Sequence, residues 1–180
     1  VTDPMAFFPP PRIAYTPQVP RIFSGSLRAN ILLGLAESDV DMEEAVAAAV
    51  LEPDVAQFPC GLETEVGSRG VKLSGGQVQR TAAARMFARQ PALLVLDDIS
   101  SALDSETEAE LWRRLFAREG ATVLCVSNRR AALERADQIL LLDEGRLVAA
   151  GPLPELLRTS PAMRELWTAI APDEKAGIAR

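Results

Sequence analysis

No histidine occurs anywhere in the 180 residues. The commonest general base and the commonest metal ligand are therefore excluded before any motif is considered. Cysteine is nearly absent. Cys60 and Cys125 stand far apart, outside any C-x-x-C, and read as two small buried hydrophobes in a reducing compartment. Lysine is scarce too: of 19 basic residues only Lys72 and Lys175 are lysine, a bias with no functional reading. No apolar run approaches about 18 residues, so no helix spans a bilayer. No charged-then-apolar leader opens the chain, and the expectation is a protein that is not secreted. The net charge of −6 argues against a nucleic-acid surface.

What is there is globular. Hydrophobic residues make up 48% and charged residues 24%, enough for one domain with a real core. Pro4, Pro9, Pro10 and Pro11 make the opening a loop. Ile13 to Thr16 reads as a short strand ended by Pro17, and Leu27 to Leu35 as an amphipathic helix ending at Gly34. Asp41 with Glu44 resembles a capping box before the apolar stripe of Ala45, Val46, Ala49 and Val50. Phe58 to Gly61 is a turn, and a glycine-punctuated loop over 64–70 leads into the next helix.

After Pro91 the texture changes. Ala92 to Leu96 is a continuous apolar run, which suits a strand buried on both faces of a parallel sheet, and it ends in Asp97-Asp98. Ser105 to Glu108 reads as a capping box opening a helix that runs to about Glu119. Ala121 to Val126 is a second buried strand, followed by a short helix from Arg129 to Arg135. Ile139 to Leu142 and Leu147 to Ala150 form a hairpin, and two helices follow, near Glu155 and over 162–170. The alternation over 91–143 predicts an α/β fold with a parallel sheet. Residues 27–90 are mostly helical and sit beside that sheet as a separate subdomain.

The stretch that organises the rest is Leu73-Ser74-Gly75-Gly76-Gln77-Val78-Gln79-Arg80. Ser74 can cap a helix, and Gly75 and Gly76 carry no Cβ, so a ligand can approach the backbone. The N–H groups of a first helical turn then face an anion, and phosphate is the obvious one. Along this helix Val78, Ala82 and Met86 face a core while Arg80, Arg85 and Arg89 face elsewhere. Taken alone, S-G-G is also simply a loop followed by a helix.

The surroundings decide between these. Leu73 to Gln77 resembles the signature motif of ATP-binding cassette proteins, and Leu93 to Asp98 a Walker B strand. Ser101-Ala102-Leu103-Asp104 resembles the D-loop, Tyr15-Thr16-Pro17-Gln18 the Q-loop, and Ser127-Asn128-Arg129 the loop that carries the family's switch histidine. The motifs stand in the family's order. Ile22 to Ile31 resembles the segment after the Q-loop in the exporter branch. Thr64 to Gly70 resembles that branch's X-loop, T-E-V-G-E-R-G, with Ser68 for the Glu. These two stretches separate the chain from the soluble cassette ATPases of chromosome maintenance and DNA repair.

The resemblance implies an α/β, P-loop NTPase-like cassette ATPase fold: an incomplete parallel sheet flanked by helices, plus an inserted helical subdomain. Residues 13–26 would belong to the ATPase lobe, 27–90 to the helical subdomain, and 91–180 to the C-terminal half of the lobe. It also implies ATP and Mg²⁺. Asp97 and Gln18 would hold the ion, and Asp98 would polarise the attacking water where the family has Glu. Asp is one methylene shorter, which sets its oxygens back by about 1.5 Å. Asn128 stands in the switch-histidine position and can hydrogen-bond a phosphate but not exchange a proton near neutral pH. Asp98 and Asn128 together imply a slow or degenerate site. Ile99 and Ser100 replace the family's Pro-Thr, a tolerable change.

The family's P-loop, G-x-x-x-x-G-K-[ST], has no match. Gly70 to Gly75 is nearest, but Gly76 follows instead of Lys, and no Gly-Lys pair occurs. The expectation is a truncated cassette that exposes apolar sheet faces. In the family's dimers the signature motif faces the opposite subunit's nucleotide. Ser74, Gly75, Gly76 and Gln77 would then contact a γ-phosphate in trans, and Asp104 would cross the interface. The partners implied are a second nucleotide-binding domain, in a homo- or heterodimer, and transmembrane domains contacted through 19–35 and 64–70. The place implied is the cytoplasmic face of the plasma membrane, and no nucleic acid is involved. The function implied is ATP-driven export. The alternative is a non-catalytic cassette that lends its signature motif to a partner.

Overall fold

A computed structural model of the chain describes residues 9, 11–68, 70–118 and 120–170. Pro4, Pro10, Arg69 of the 64–70 loop and Glu119 of the expected helix end lie outside the described residues. The fold divides into two compact units, Val1–Val126 and Ser127–Arg180.

The first unit runs β1 (Ile13–Thr16), β2 (Gly25–Ser26), α1 (Leu27–Leu32), α2 (Met42–Ala48), α3 (Glu52–Gln57), β3 (Glu65–Val66), α4 (Gly75–Phe87), β4 (Leu93–Asp97), α5 (Ser105–Phe116) and β5 (Thr122–Val126). Its sheet is parallel in the order β1-β4-β5, with Tyr15 opposite Val95 and Val95 opposite Leu124. Strand side chains alternate, so each strand offers two faces. Ala14 and Thr16 of β1 and Leu94 and Leu96 of β4 are buried on one of them. Helix α4 covers that face, and Thr16 Oγ1 donates to Met86 Sδ at 3.3 Å.

The other face is open among the described residues. Tyr15, Leu124 and Val126 are exposed, while Ile13, Leu93 and Val95 are half-buried. This corrects the reading of 92–96 as suited to burial on both faces and of 121–126 as a buried strand, and agrees with the expectation that the sheet exposes apolar faces. A continuous apolar run shows that both faces suit burial, not that both are covered.

Local chemistry sets the helix ends. Ser26 caps α1 by accepting from Ala29 N at 3.1 Å, and the helix stops early because Leu33 turns left-handed at φ +37°. Asp41 caps α2, accepting from Glu44 N at 2.9 Å. Asp104, not Ser105, caps α5: its carboxylate accepts from Thr107 N at 2.9 Å and from Thr107 Oγ1 at 2.8 Å. Glu108, expected to close a box with Ser105, is instead buried and accepts from Ser100 Oγ. Trp112 is buried and stacks on Phe116 with ring centroids 5.6 Å apart. Cys60 lies in the turn before a single 3₁₀ turn (Gly61–Glu63) and is exposed, against the expectation of a buried thiol.

The second unit contains α6 (Arg130–Arg135), β6 (Ile139–Asp143), β7 (Arg146–Gly151), α7 (Leu153–Thr159) and α8 (Pro161–Ala169). β6 and β7 form the expected antiparallel hairpin. Glu144 and Gly145 both take positive φ in its turn, at +46° and +75°, a backbone that matches strand twist. Leu133, Ile139, Leu153, Leu156 and Met163 form the unit's own core. The Arg130 guanidinium lies 4.4 Å from the Trp167 ring centroid. No helix among the described residues is long and apolar enough to cross a membrane.

The one-sided sheet makes a prediction. Leu96→Ala should lower unfolding stability by about 2–5 kcal/mol, and Leu124→Ala by less than about 0.5 kcal/mol. Urea unfolding of the two variants measures the contrast; equal losses would show that both faces are covered.

Candidate functional site

Helix α4 starts with a reciprocal cap. Ser74 Oγ accepts from Gln77 N at 3.3 Å, and Gln77 Oε1 accepts from Ser74 N at 2.9 Å. The side chain of Gln77 is used at both ends, because its Nε2 also donates to Asp54 Oδ1 at 3.0 Å. Asp54, on α3, holds a second partner: Arg80 donates to its Oδ2 through Nε at 3.0 Å and Nη2 at 2.7 Å. This ion pair is largely sequestered, with side-chain exposures of 12% and 13%, so neither charge is compensated by bulk water. Ser74 and Gly75 remain exposed, so the helix presents its positive end outward from a braced base.

The two glycines have a packing reason. A Cβ on Gly75 would meet Ala102 Cβ at 3.3 Å, and one on Gly76 would meet Ala102 O at 3.2 Å. The close approach expected of a ligand is thus already made by loop 101–103. Gln79, buried in α4, clamps the same loop. Its Nε2 donates to Ser101 Oγ at 2.7 Å and its Oε1 accepts from Ala102 N at 2.9 Å.

The far end of α4 holds the segment after β1. Arg85 donates to Asn30 O at 2.8 Å and Arg21 O at 3.1 Å, and Arg89 donates to Leu33 O at 3.0 Å. Burial, and then the nearby Arg89 charge, lower the pKa of Arg85 from its ordinary value. Asn30 is buried, accepts from Phe23 N at 2.8 Å and donates to Phe23 O at 2.9 Å.

Gln18 and Asp98 come together: Gln18 Nε2 donates to Asp98 Oδ2 at 3.4 Å. Asp98 sits at φ +48° directly after β4, and its N–H donates to Val126 O at 2.9 Å. Its Oδ1 is buried without a hydrogen-bond partner. A buried carboxylate oxygen without a donor calls for a cation or a proton donor. Carboxylate and amide oxygens are the ligands Mg²⁺ prefers, so Asp97, adjacent to Asp98 in the chain, and Gln18, hydrogen-bonded to Asp98, fit that ion. Burial first, and then the charges of Asp98 and Asp97, push the Cys125 thiol up to about 12. A cavity of about 490 Å³ opens beside Gln18, Val19, Pro20, Leu73, Gln79 and Ser101.

Asp104 is exposed, and its hydrogen bonds from Thr107 hold its carboxyl below the usual range. Asn128 lies in the second unit, in the turn before α6, where Ser127 Oγ accepts from Arg129 N at 3.1 Å. Within the first unit the structure brings Gln18 to Asp98 and joins the Ser74–Gln77 end to loop 101–103.

The family model described as ABC transporter matches residues 4–101. The chain belongs to the ABC transporter family. Among its relatives is the "Probable multidrug resistance ABC transporter ATP-binding/permease protein YheI" of Bacillus subtilis (strain 168). It is 41% identical over 157 residues, which cover 86% of this chain and 27% of that protein. The ABC multidrug transporter MDR2 of Trichophyton rubrum (strain ATCC MYA-4607 / CBS 118892) is 40% identical over 158 residues, 86% of this chain and 12% of that protein. A bacterial Atm1-family ABC exporter solved with ATP bound matches with a TM-score of 0.79 and 31% identity, covering 94% of this chain and 29% of that one. The chain therefore spans under a third of each of these relatives. ABC transporter family members are generally ATPases.

Sequence reasoning passed over Asp54, Gln79, Asn30 and Arg85. Asp54 carried a usable signal, because an acid in a short helical stretch can answer an arginine of a neighbouring helix. The others are neutral or basic residues whose partners are backbone groups or side chains distant in sequence, such as Ser101 Oγ for Gln79, and no pattern marks those.

Asp54→Ala should cost about 3 kcal/mol, as expected for leaving Arg80 buried and unpaired, and Ser74→Ala about 1 kcal/mol as a lost cap. Urea unfolding measures both, and a smaller loss for Asp54→Ala than for Ser74→Ala would contradict the bracing described. Cys125, with its thiol at about 12, has roughly one thiolate in ten thousand at pH 8. Iodoacetamide at that pH should label exposed Cys60 in the folded chain and reach Cys125 only after unfolding, as read by mass spectrometry. Equal labelling of the two in the folded chain would refute it.

Proposed function

We propose that these residues form part of the ATP-binding portion of an exporter and couple ATP binding and hydrolysis to transport across a membrane. The observation that carries this is the exposed, braced N-terminal end of α4, joined to the loop between Asp98 and Asp104. The backbone N–H groups of Gly75 and Gly76 and the hydroxyl of Ser74 face the phosphates of a nucleotide whose cradle lies in polypeptide outside these 180 residues, since no Gly-Lys pair occurs here. Gln77 serves that end by bracing it.

Asp97 and Gln18 hold Mg²⁺, which when bound neutralises phosphate charge. Asp98 orients the attacking water, Asn128 offers an amide to a phosphate oxygen, and Asp104 reaches a second nucleotide-binding domain. Transmembrane domains dock through 19–35 and 64–70, at the cytoplasmic side of the membrane. Residues 27–90 act as the helical subdomain between those contacts and the lobe formed by 13–26 and 91–180.

The purified chain should show no magnesium-dependent ATP turnover alone. Adding a nucleotide-binding domain that has an intact P-loop and a disabled signature motif should produce turnover. Ser74→Arg in this chain should abolish it, because a large cation would occupy the anion site. Turnover by the chain alone, lost in Asp97→Ala, would overturn the first expectation. Paired turnover that survives Ser74→Arg would overturn the second.

A further inference from the structure

The signature helix and the carboxylate after β4 lie far apart in sequence, yet one buried side chain joins them. We infer that Gln79 is a positioning residue for Asp98, acting through Ser101. Gln79 Nε2 donates to Ser101 Oγ at 2.7 Å, and Ser101 Oγ donates in turn to Asp98 O at 3.2 Å. Ser101 N donates to the same carbonyl at 3.4 Å. Gln79 Oε1 takes the N–H of Ala102 at 2.9 Å, so the clamp grips the loop at two consecutive residues.

The chemistry requires an amide. The single hydroxyl proton of Ser101 is committed to Asp98 O, so Ser101 Oγ needs a donor from α4, while Ala102 N–H needs an acceptor. Gln offers one of each from one fork; Glu offers two acceptors and Leu offers neither. The constraint has something to hold. Asp98 sits at φ +48°, a conformation that a residue other than glycine keeps only when its surroundings over-determine it. Gln79 is 4% exposed, so water does not compete for either end of its amide. Because the same helix begins at Ser74, any displacement of its exposed end is transmitted to the Asp98 backbone through rigid contacts. The role rests on the proposal that Asp98 orients the attacking water.

The test compares Gln79→Leu, Gln79→Glu and Ser101→Ala in the full 180-residue chain, at about pH 9.5, above the range of about 8–9 to which burial raises a glutamate. Amide exchange is read residue by residue by NMR. In Gln79→Leu the Ala102 N–H should exchange at least about tenfold faster, because its acceptor is gone. In Gln79→Glu and Ser101→Ala it should stay within about twofold of the unsubstituted chain, since an acceptor remains. The Leu27 N–H, bonded to Thr64 O at 3.0 Å and remote from this loop, is the internal control for intact folding in all three.

In the paired turnover assay kcat should fall about 10–100-fold in all three variants, with KM for ATP within about twofold. The Glu and Ala variants separate positioning from mere packing, because they keep the Ala102 bond and lose only the link to Asp98. Unchanged kcat in those two would overturn the inference, as would unchanged Ala102 exchange in Gln79→Leu. If the paired assay gives no turnover even with the unsubstituted chain, the proposed function fails. The exchange rates of Ser101 and Ala102 would still decide whether Gln79 holds the loop.

Discussion

A helix buried around most of its girth must satisfy every polar side chain it carries, and α4 is such a helix. A buried donor or acceptor left unmatched costs about 1–3 kcal/mol, so each polar residue on it dictates what can pack there. Gln77 and Arg80 require the carboxylate of Asp54, Gln79 requires a serine hydroxyl and an amide of the loop after β4, and Arg85 and Arg89 require the carbonyls of 21–33. Thr81 Oγ1 turns back on its own helix, donating to Gln77 O at 2.7 Å. Three otherwise separate stretches of the first unit are thereby fastened to one rod. The one part of the rod left exposed is its first turn, the part with chemistry to do.

This explains an apparent conflict between rigidity and access. The Ser74 end has unsatisfied backbone donors by the geometry of any helix, and an anion is their natural complement. A loose end would fray. Here the cap, the Asp54 carboxylate and the packing of Gly75 and Gly76 beneath Ala102 all hold it, so the donors stay aligned without a ligand. At the other pole of the site, the electrostatics are those of concentrated negative charge. Asp97 and Asp98 follow one another, and one oxygen of Asp98 is buried without a donor.

How much of this was legible in the sequence depended on the kind of interaction. Caps that act within four residues could be read: Ser74 with Gln77, and Asp41 with Glu44, are local geometry. The start of α5 could not, because Asp104 and Ser105 are both good caps and the choice turned on Thr107, whose hydroxyl favours Asp104, and on Glu108 being drawn inward by Ser100. Helix α3 was unreadable by pattern: Glu52 to Gln57 carries Pro53 and no apolar stripe, and it stands because α4 and α5 hold its acids. The open sheet face shows the limit of hydrophobicity as a signal, because it reports suitability for burial rather than coverage. The site's outline came from motifs, but the bonds that fasten it, above all those of Asn30, Gln79 and Arg85, run to backbone groups and to one distant serine hydroxyl, none of which carries a sequence mark.

The aromatic residues have a practical consequence. The chain has two tryptophans, and each unit contains one. Trp112 is 1% exposed in an apolar setting against Phe116, whereas Trp167 is half-buried under the charge of Arg130. The two indoles therefore sit in environments of different polarity, and their intrinsic fluorescence reports on different units of the molecule. Replacing either one by phenylalanine leaves a chain with a single emitter, in which the melting of one unit can be watched without the other.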